Sequence, residues 1–226
     1  MGTLARLDVD AERAAAWITL DRPERKNALS IALRDEVSDA LAELGSDERV
    51  KSVVITGAGD VFSAGFDLGE FRDAFADPAL SDTLWASSDR FHHALLSFPL
   101  PLIAAVNGPA LAGGFDLAVC CDLRIASAAA RFAHPEYTFG DVVYTPLREL
   151  VGGAVARELC LTGRTVSASE ALELRLVNGV VNDADLVGTV RDLTATIAQA
   201  PRDRLLRTKA KVIARTGIPL GPTLDL

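Results

Sequence analysis

Apolar and polar positions along the chain follow two rhythms. From Leu4 to Val9 and from Ala14 to Leu20 they alternate, which predicts an antiparallel hairpin turning through Asp-Ala-Glu-Arg. After the polar loop DRPERKN the spacing lengthens: Leu33, Val37, Leu41 and Leu44 recur on one helical face behind Ser30, a suitable N-cap. Three short runs break both rhythms. Ser52 to Thr56, Ile103 to Val106 and Leu123 to Ala126 are almost unbrokenly apolar, as strands are when helices cover both faces of their sheet. Between and after them the pattern predicts helices at Ser81 to Ser97, from Gly113 onward, behind the capping box Ser167-Ala168-Ser169-Glu170, and on either side of Pro201. Strand and helix alternate, so the fold class is α/β, built of stacked β-α units with right-handed crossovers.

At 226 residues, 49% hydrophobic and 24% charged, the chain is sized for one globular domain. Its net charge of −8 and its lack of basic runs argue against a nucleic-acid partner. Cys120, Cys121 and Cys160 sit among apolar neighbours and form neither a disulfide framework nor a zinc spacing. No metal is expected. The opening MGTLARLDVD lacks the order of a signal peptide. Leu102 to Cys121 is nearly membrane-length, but Asn107, Pro109 and Asp116 interrupt it. The expectation is a soluble, cytoplasmic protein with no membrane partner.

Those interruptions carry the candidate chemistry. In IAAVNGPALAGGFDLAVCCDLRIA, Asp116 follows Gly113 by three residues, so both occupy one face of a helix's first turn. There the backbone N–H groups are unpaired and the dipole end is positive, fit to hold an oxygen that gains negative charge. The same residues also suit dipole complementation and close packing alone. A second loop, SAGFD (Ser63 to Asp67), follows the SVVIT strand as Asn107 follows IAAV. If the two strands are parallel neighbours, both loops reach one sheet edge and supply one N–H each.

Together with FSAGFDL upstream and AHPE downstream, this segment resembles the enoyl-CoA hydratase/isomerase (crotonase) superfamily, over about Leu7 to Val181. The resemblance implies a ClpP/crotonase-like spiral of β-β-α units over residues 1–182 and a shortened helical segment over 183–226. It implies coenzyme A thioester substrates, with coenzyme A as part of the substrate and no separate cofactor, and a homotrimer or dimer of trimers. By position Gly113 supplies one oxyanion-hole donor and the N–H of Ala64 or Phe66 the other. Asp116 and Glu136 become the two catalytic carboxylates, one orienting water toward Cβ and the other passing a proton to Cα. The substrate-binding residues are Arg25, Lys26 and Ala28, then Ala64, Gly65, Phe66, Asp67 and Leu68, with Gly113 and Tyr144. Arg25 or Lys26 would meet phosphate.

Two departures bear on the reaction. Asp116 is one methylene shorter than the glutamate of the hydratases, and the acid that dienoyl-CoA isomerases carry eight positions beyond Glu136 is here Tyr144, with Asp141 off register. The run GDVVYTPLRELVGG is shorter than its counterpart, which implies a reshaped acyl pocket with Phe139, Val142, Val143 and Tyr144 as candidate walls. The leading reading is hydration of a 2-enoyl-CoA. The alternatives are double-bond isomerisation and a non-catalytic acyl-CoA-binding paralogue. His134 is a candidate pocket residue beside Glu136, His92 and His93 are expected to divide between core edge and solvent, and a serine hydrolase using Ser63 lacks the GxSxG elbow.

Overall fold

The computed structural model describes residues 3–218 and 220–226. Strands β1 (Ala5–Asp10) and β2 (Ala15–Leu20) form the expected hairpin, with Ala5 opposite Leu20 and Asp10 opposite Ala15. Helix α1 (Ile31–Ser46) starts where Ser30 Oγ accepts the Leu33 N–H, and it buries Leu33, Val37, Leu41 and Leu44. Strand β3 (Ser52–Gly57) leads to helices α2 (Leu68–Ala74) and α3 (Pro78–Leu96). Helix α3 begins three residues before the expected Ser81, because Asp77 caps the Ala79 and Leu80 N–H groups and Pro78 fits the first helical position.

Next come β4 (Leu102–Val106), β5 (Ala110–Leu111) and α4 (Gly113–Cys120), then β6 (Leu123–Ser127), β7 (Arg131–Ala133) and α5 (Thr145–Thr162). Strand β8 (Val166–Ser167), helix α6 (Ala168–Glu173) and β9 (Gly179–Val181) precede α7 (Leu186–Ala198) and α8 (Arg202–Arg215), which Pro201 separates. Six strands form one sheet in the order β1-β2-β3-β4-β6-β9, parallel except for the β1–β2 pair. The short strands β5, β7 and β8 form a second sheet, which parallel bridges Ser63↔Ala110 and Leu29↔Phe66 continue. Each turn of the chain thus places one strand in the large sheet and one in the small sheet before a helix: β4-β5-α4, then β6-β7-α5. No repeat shows in the sequence because a two-residue strand is too short to carry a period.

Both faces of the large sheet are buried, as the apolar runs predict. Val53, Ile55, Ala104 and Val106 belong to the main core with residues of α1, α3 and α4. Their neighbours Val54, Ile103 and Ala105 point the other way, against Leu186 and Val190 of α7. Each such fully buried Val, Ile or Leu contributes roughly 1.5–3 kcal/mol. Among the described residues no helix is long and apolar enough to cross a membrane.

Candidate active site

Strands β3 and β4 are parallel neighbours, with Val53 opposite Leu102 and Thr56 opposite Ala105, so the loops after them leave one sheet edge. The loops are stitched together. Phe62 and Ser63 donate their N–H groups to Pro109 O (3.0 and 3.2 Å), and the Leu111 N–H donates to Ser63 O (2.9 Å). Gly65 makes the approach sterically feasible: at φ +87°, a Cβ there would stand 2.7 Å from Ala112 Cβ and 3.0 Å from Gly113 N. Ala112 has no such freedom, yet it holds φ 50°, ψ −131° to turn the chain into α4.

Hydrogen-bond accounting separates the N–H groups of the first loop. Ala64 donates to Lys26 O (3.0 Å) and Gly65 to Ser63 Oγ (3.2 Å), whereas the Phe66 N–H has no partner among the described residues. The Gly113 N–H is equally unpaired among them. Phe66 and Gly113 line the same cavity, which opens to solvent and spans about 860 Å³ with the open space at its mouth included. Two donors therefore stand free at one void. Behind Phe66, the buried Arg34 guanidinium lies 4.3 Å from the ring centre, and it is tied to Leu29 O (2.7 Å) and Leu84 O (3.1 Å).

Asp116 and Glu136 border the same cavity, and His134 stands between their carboxylates. Its Nδ1 lies 2.9 Å from Glu136 Oε1 and 3.9 Å from Asp116 Oδ1, and its ring stacks on Phe115 at 4.7 Å between centres. His134 follows β7, and the short 3-10 turn Pro135–Thr138 brings Glu136 round to meet it. Asp116 Oδ1 and Glu136 Oε2 are buried without a partner among the described residues. Burial raises the Asp116 pKa to about 7; His134 pulls it down and the Glu136 charge adds to the rise. For His134, burial alone would lower the pKa, but the hydrogen bond to Glu136 and the two carboxylate charges outweigh it and raise the value.

Phe66, Phe71 and Trp85 form an aromatic wall, with Trp85 6.4 Å from Phe66 and 6.2 Å from Phe71, the latter pair edge-to-face. Phe139, Val142 and Val143 join it from the segment before α5, as expected. Tyr144 does not: its N–H donates to Leu226 O (3.2 Å) and its side chain packs against the core, so the expected wall position is corrected. Trp85, His92, Thr223 and Leu224 line the cavity from segments distant in sequence, and nothing in their local pattern announces it.

The remaining predicted residues divide between the surface and the interior. Leu68 lines the cavity and is exposed, and Arg25 and Lys26 are exposed on another loop. Asp67 is committed within the fold: it caps α2 through the Gly69 N–H (3.0 Å) and pairs with Arg22 (3.1 Å), which also donates to Ala28 O (2.6 Å). Ser63 is buried, donating to Asn27 O (2.9 Å) and accepting from Gly65, which removes it as a nucleophile. His93, expected to face solvent if His92 faces the core, instead meets Gly221 O (2.8 Å) and is half-buried. Among the described residues no cluster of three His, Cys, Asp or Glu side chains is placed to hold a metal.

Comparison with known proteins identifies the family. Residues 10–221 match the family model described as Enoyl-CoA hydratase/isomerase. A Mycobacterium leprae protein described as "Probable enoyl-CoA hydratase echA8" is 37% identical over 213 residues, covering 90% of this chain and 79% of the relative. The solved enoyl-CoA hydratase of Mycobacterium smegmatis superposes with a TM-score of 0.88 at 34% identity, covering 96% and 85% of the two chains. A monofunctional enoyl-CoA isomerase from M. smegmatis superposes with a TM-score of 0.81 at 30% identity, covering 96% and 95%.

Proposed function

Because the chain belongs to the enoyl-CoA hydratase/isomerase family and has its crotonase fold, we propose that it adds water across the 2,3 double bond of an enoyl-CoA thioester. The observation that carries this reading is the convergence of two unpaired N–H groups, on Phe66 and Gly113, with two carboxylates, of Asp116 and Glu136, that line the same cavity. The thioester oxygen sits between the two N–H groups, which stabilise it most when charge accumulates there as the enolate forms. One carboxylate takes a proton from water as its oxygen bonds to Cβ, and the other gives a proton to Cα. With Ala64 bonded to Lys26, the Phe66 N–H is the second donor of the hole.

His134 serves this chemistry as a positioning residue. It holds Glu136 through Oε1 and leaves Oε2 without a partner among the described residues. The hydrogen bond to Glu136 and the nearby carboxylates raise its pKa, which favours the protonated ring beside them.

The isomerase neighbour supports a second reading, in which one carboxylate moves a proton between two carbons of the acyl chain. Incubating the protein with crotonyl-CoA and, separately, with a 3-enoyl-CoA, and resolving the products by chromatography, distinguishes the two. A 3-hydroxyacyl-CoA product from crotonyl-CoA is expected. A 2-enoyl product from the 3-enoyl thioester, with no hydration, would replace hydration by isomerisation. Turnover of neither, with retained acyl-CoA binding, would leave a non-catalytic binder. The same reading includes assembly as a trimer or a dimer of trimers, which light scattering on the purified protein measures.

A further inference from the structure

A second histidine reaches the cavity from another element. His92 lies on α3, 1% exposed, and belongs to the lining. Its Nδ1 is 2.9 Å from Ser88 O, one turn earlier. A carbonyl oxygen only accepts, so Nδ1 carries the hydrogen and Nε2 is left as a lone-pair acceptor. Nε2 is buried and has no partner among the described residues.

The ring is fixed in that orientation. Thr223 Oγ1 stands 3.3 Å from Nδ1, accepts from Ser88 Oγ (3.0 Å) and donates to Asp89 Oδ1 (2.8 Å), which docks the C-terminal segment on α3. The Phe91 ring meets the imidazole edge-on at 5.6 Å. Burial holds the His92 pKa down to about 4, so the side chain is neutral and accepting at neutral pH. A buried acceptor left unpaired is destabilising, and a donor arriving with a ligand relieves it. The cavity that His92 borders is lined mainly by aromatic and aliphatic side chains, with the Phe71 and Trp85 rings among them.

We propose that His92 is a specificity-determining residue whose Nε2 accepts a hydrogen bond from a hydroxyl on the acyl group, selecting enoyl-CoA thioesters that carry a hydroxylated aromatic ring. The aromatic wall takes the ring face, and Nε2 takes the hydroxyl. An acyl carboxylate in the same place would oppose one lone pair with another and be rejected. This rests on the reading of the cavity as the acyl-CoA site.

The test compares kcat/KM for 4-hydroxycinnamoyl-CoA and cinnamoyl-CoA in the wild-type protein, His92→Phe and His92→Gln. The wild type is expected to favour the hydroxylated thioester by at least about tenfold. His92→Phe should abolish that preference, and His92→Gln, whose side-chain carbonyl still accepts, should keep part of it. The readout is a ratio within one protein, so a partial folding defect, which scales both substrates alike, does not imitate the effect. Equal kcat/KM for the two thioesters in the wild type, or a preference that survives His92→Phe, overturns the proposal. Should the wild type hydrate neither, the functional reading fails on its own. Calorimetric Kd values for 3-(4-hydroxyphenyl)propanoyl-CoA and 3-phenylpropanoyl-CoA then decide the role of His92 by the same ratio.

Discussion

Replacing Glu136 by Gln keeps the length and polarity of the side chain and removes its capacity to give or take a proton. Turnover of crotonyl-CoA is expected to fall by at least about 10²-fold, the lower end for a lost acid or base. Steady-state kinetics check it, and near-wild-type turnover would remove Glu136 from the chemistry. Ala112 supports a prediction of the opposite kind. Its φ of 50° strains an L-residue, at a cost of about 1–3 kcal/mol, whereas a glycine there adds about 0.4–1 kcal/mol of unfolded-chain entropy. Strain outweighs entropy here, so Ala112→Gly is expected to stabilise the fold by about 1 kcal/mol in urea denaturation. At this scale the sequence reveals Asp116 and Glu136 through their motifs. It marks His134 only as a neighbour of Glu136, because the bridge between the carboxylates is made by the 3-10 turn after His134 and not by strand alternation.

Two loops crossing at Gly65 make the functional element, and the crossing has almost no tolerance. Gly65→Ala places a methyl 2.7 Å from Ala112 Cβ on a backbone at φ +87°. It is expected to cost more than about 1 kcal/mol and to lower kcat by displacing the Phe66 and Gly113 N–H groups. Chemical denaturation paired with turnover reads both, and an unchanged variant would show that the loops yield without losing the site. The longer elements were legible because burial repeats along them: α1, β3 and β4 lie where the periods place them. Strands β5, β7 and β8, of two or three residues, carry no period and exist through their pairing alone.

For the whole molecule, the buried acid sets a pH dependence. The folded state raises the Asp116 pKa from 3.8 to about 7, so this group favours folding fully below pH 3.8 and loses that contribution as pH rises through 7. Asp116→Asn is therefore expected to melt roughly 5 °C higher than the wild type at pH 8, with the gain fading as pH falls toward 4. Calorimetry at the two pH values checks this, and a pH-independent difference would show that the carboxylate is not titrating in the folded state. His92 has the opposite sign: its pKa falls from 6.5 to about 4, so stability is present above 6.5 and is lost as pH drops toward 4. It acts equally on both proteins and cancels in the comparison. What the sequence alone determined is the α/β alternation, the two loops after apolar strands, and the glycine, aspartate and glutamate of the candidate site, since period, turn chemistry and motif spacing are local properties. What only the tertiary structure decided is that Ala64 spends its N–H on Lys26 while Phe66 keeps its own free, that His134 links the carboxylates, that Tyr144 leaves the wall, and that His92 and Trp85 join it. Those outcomes depend on which groups from distant segments meet across a few ångströms, and no local pattern encodes that distance.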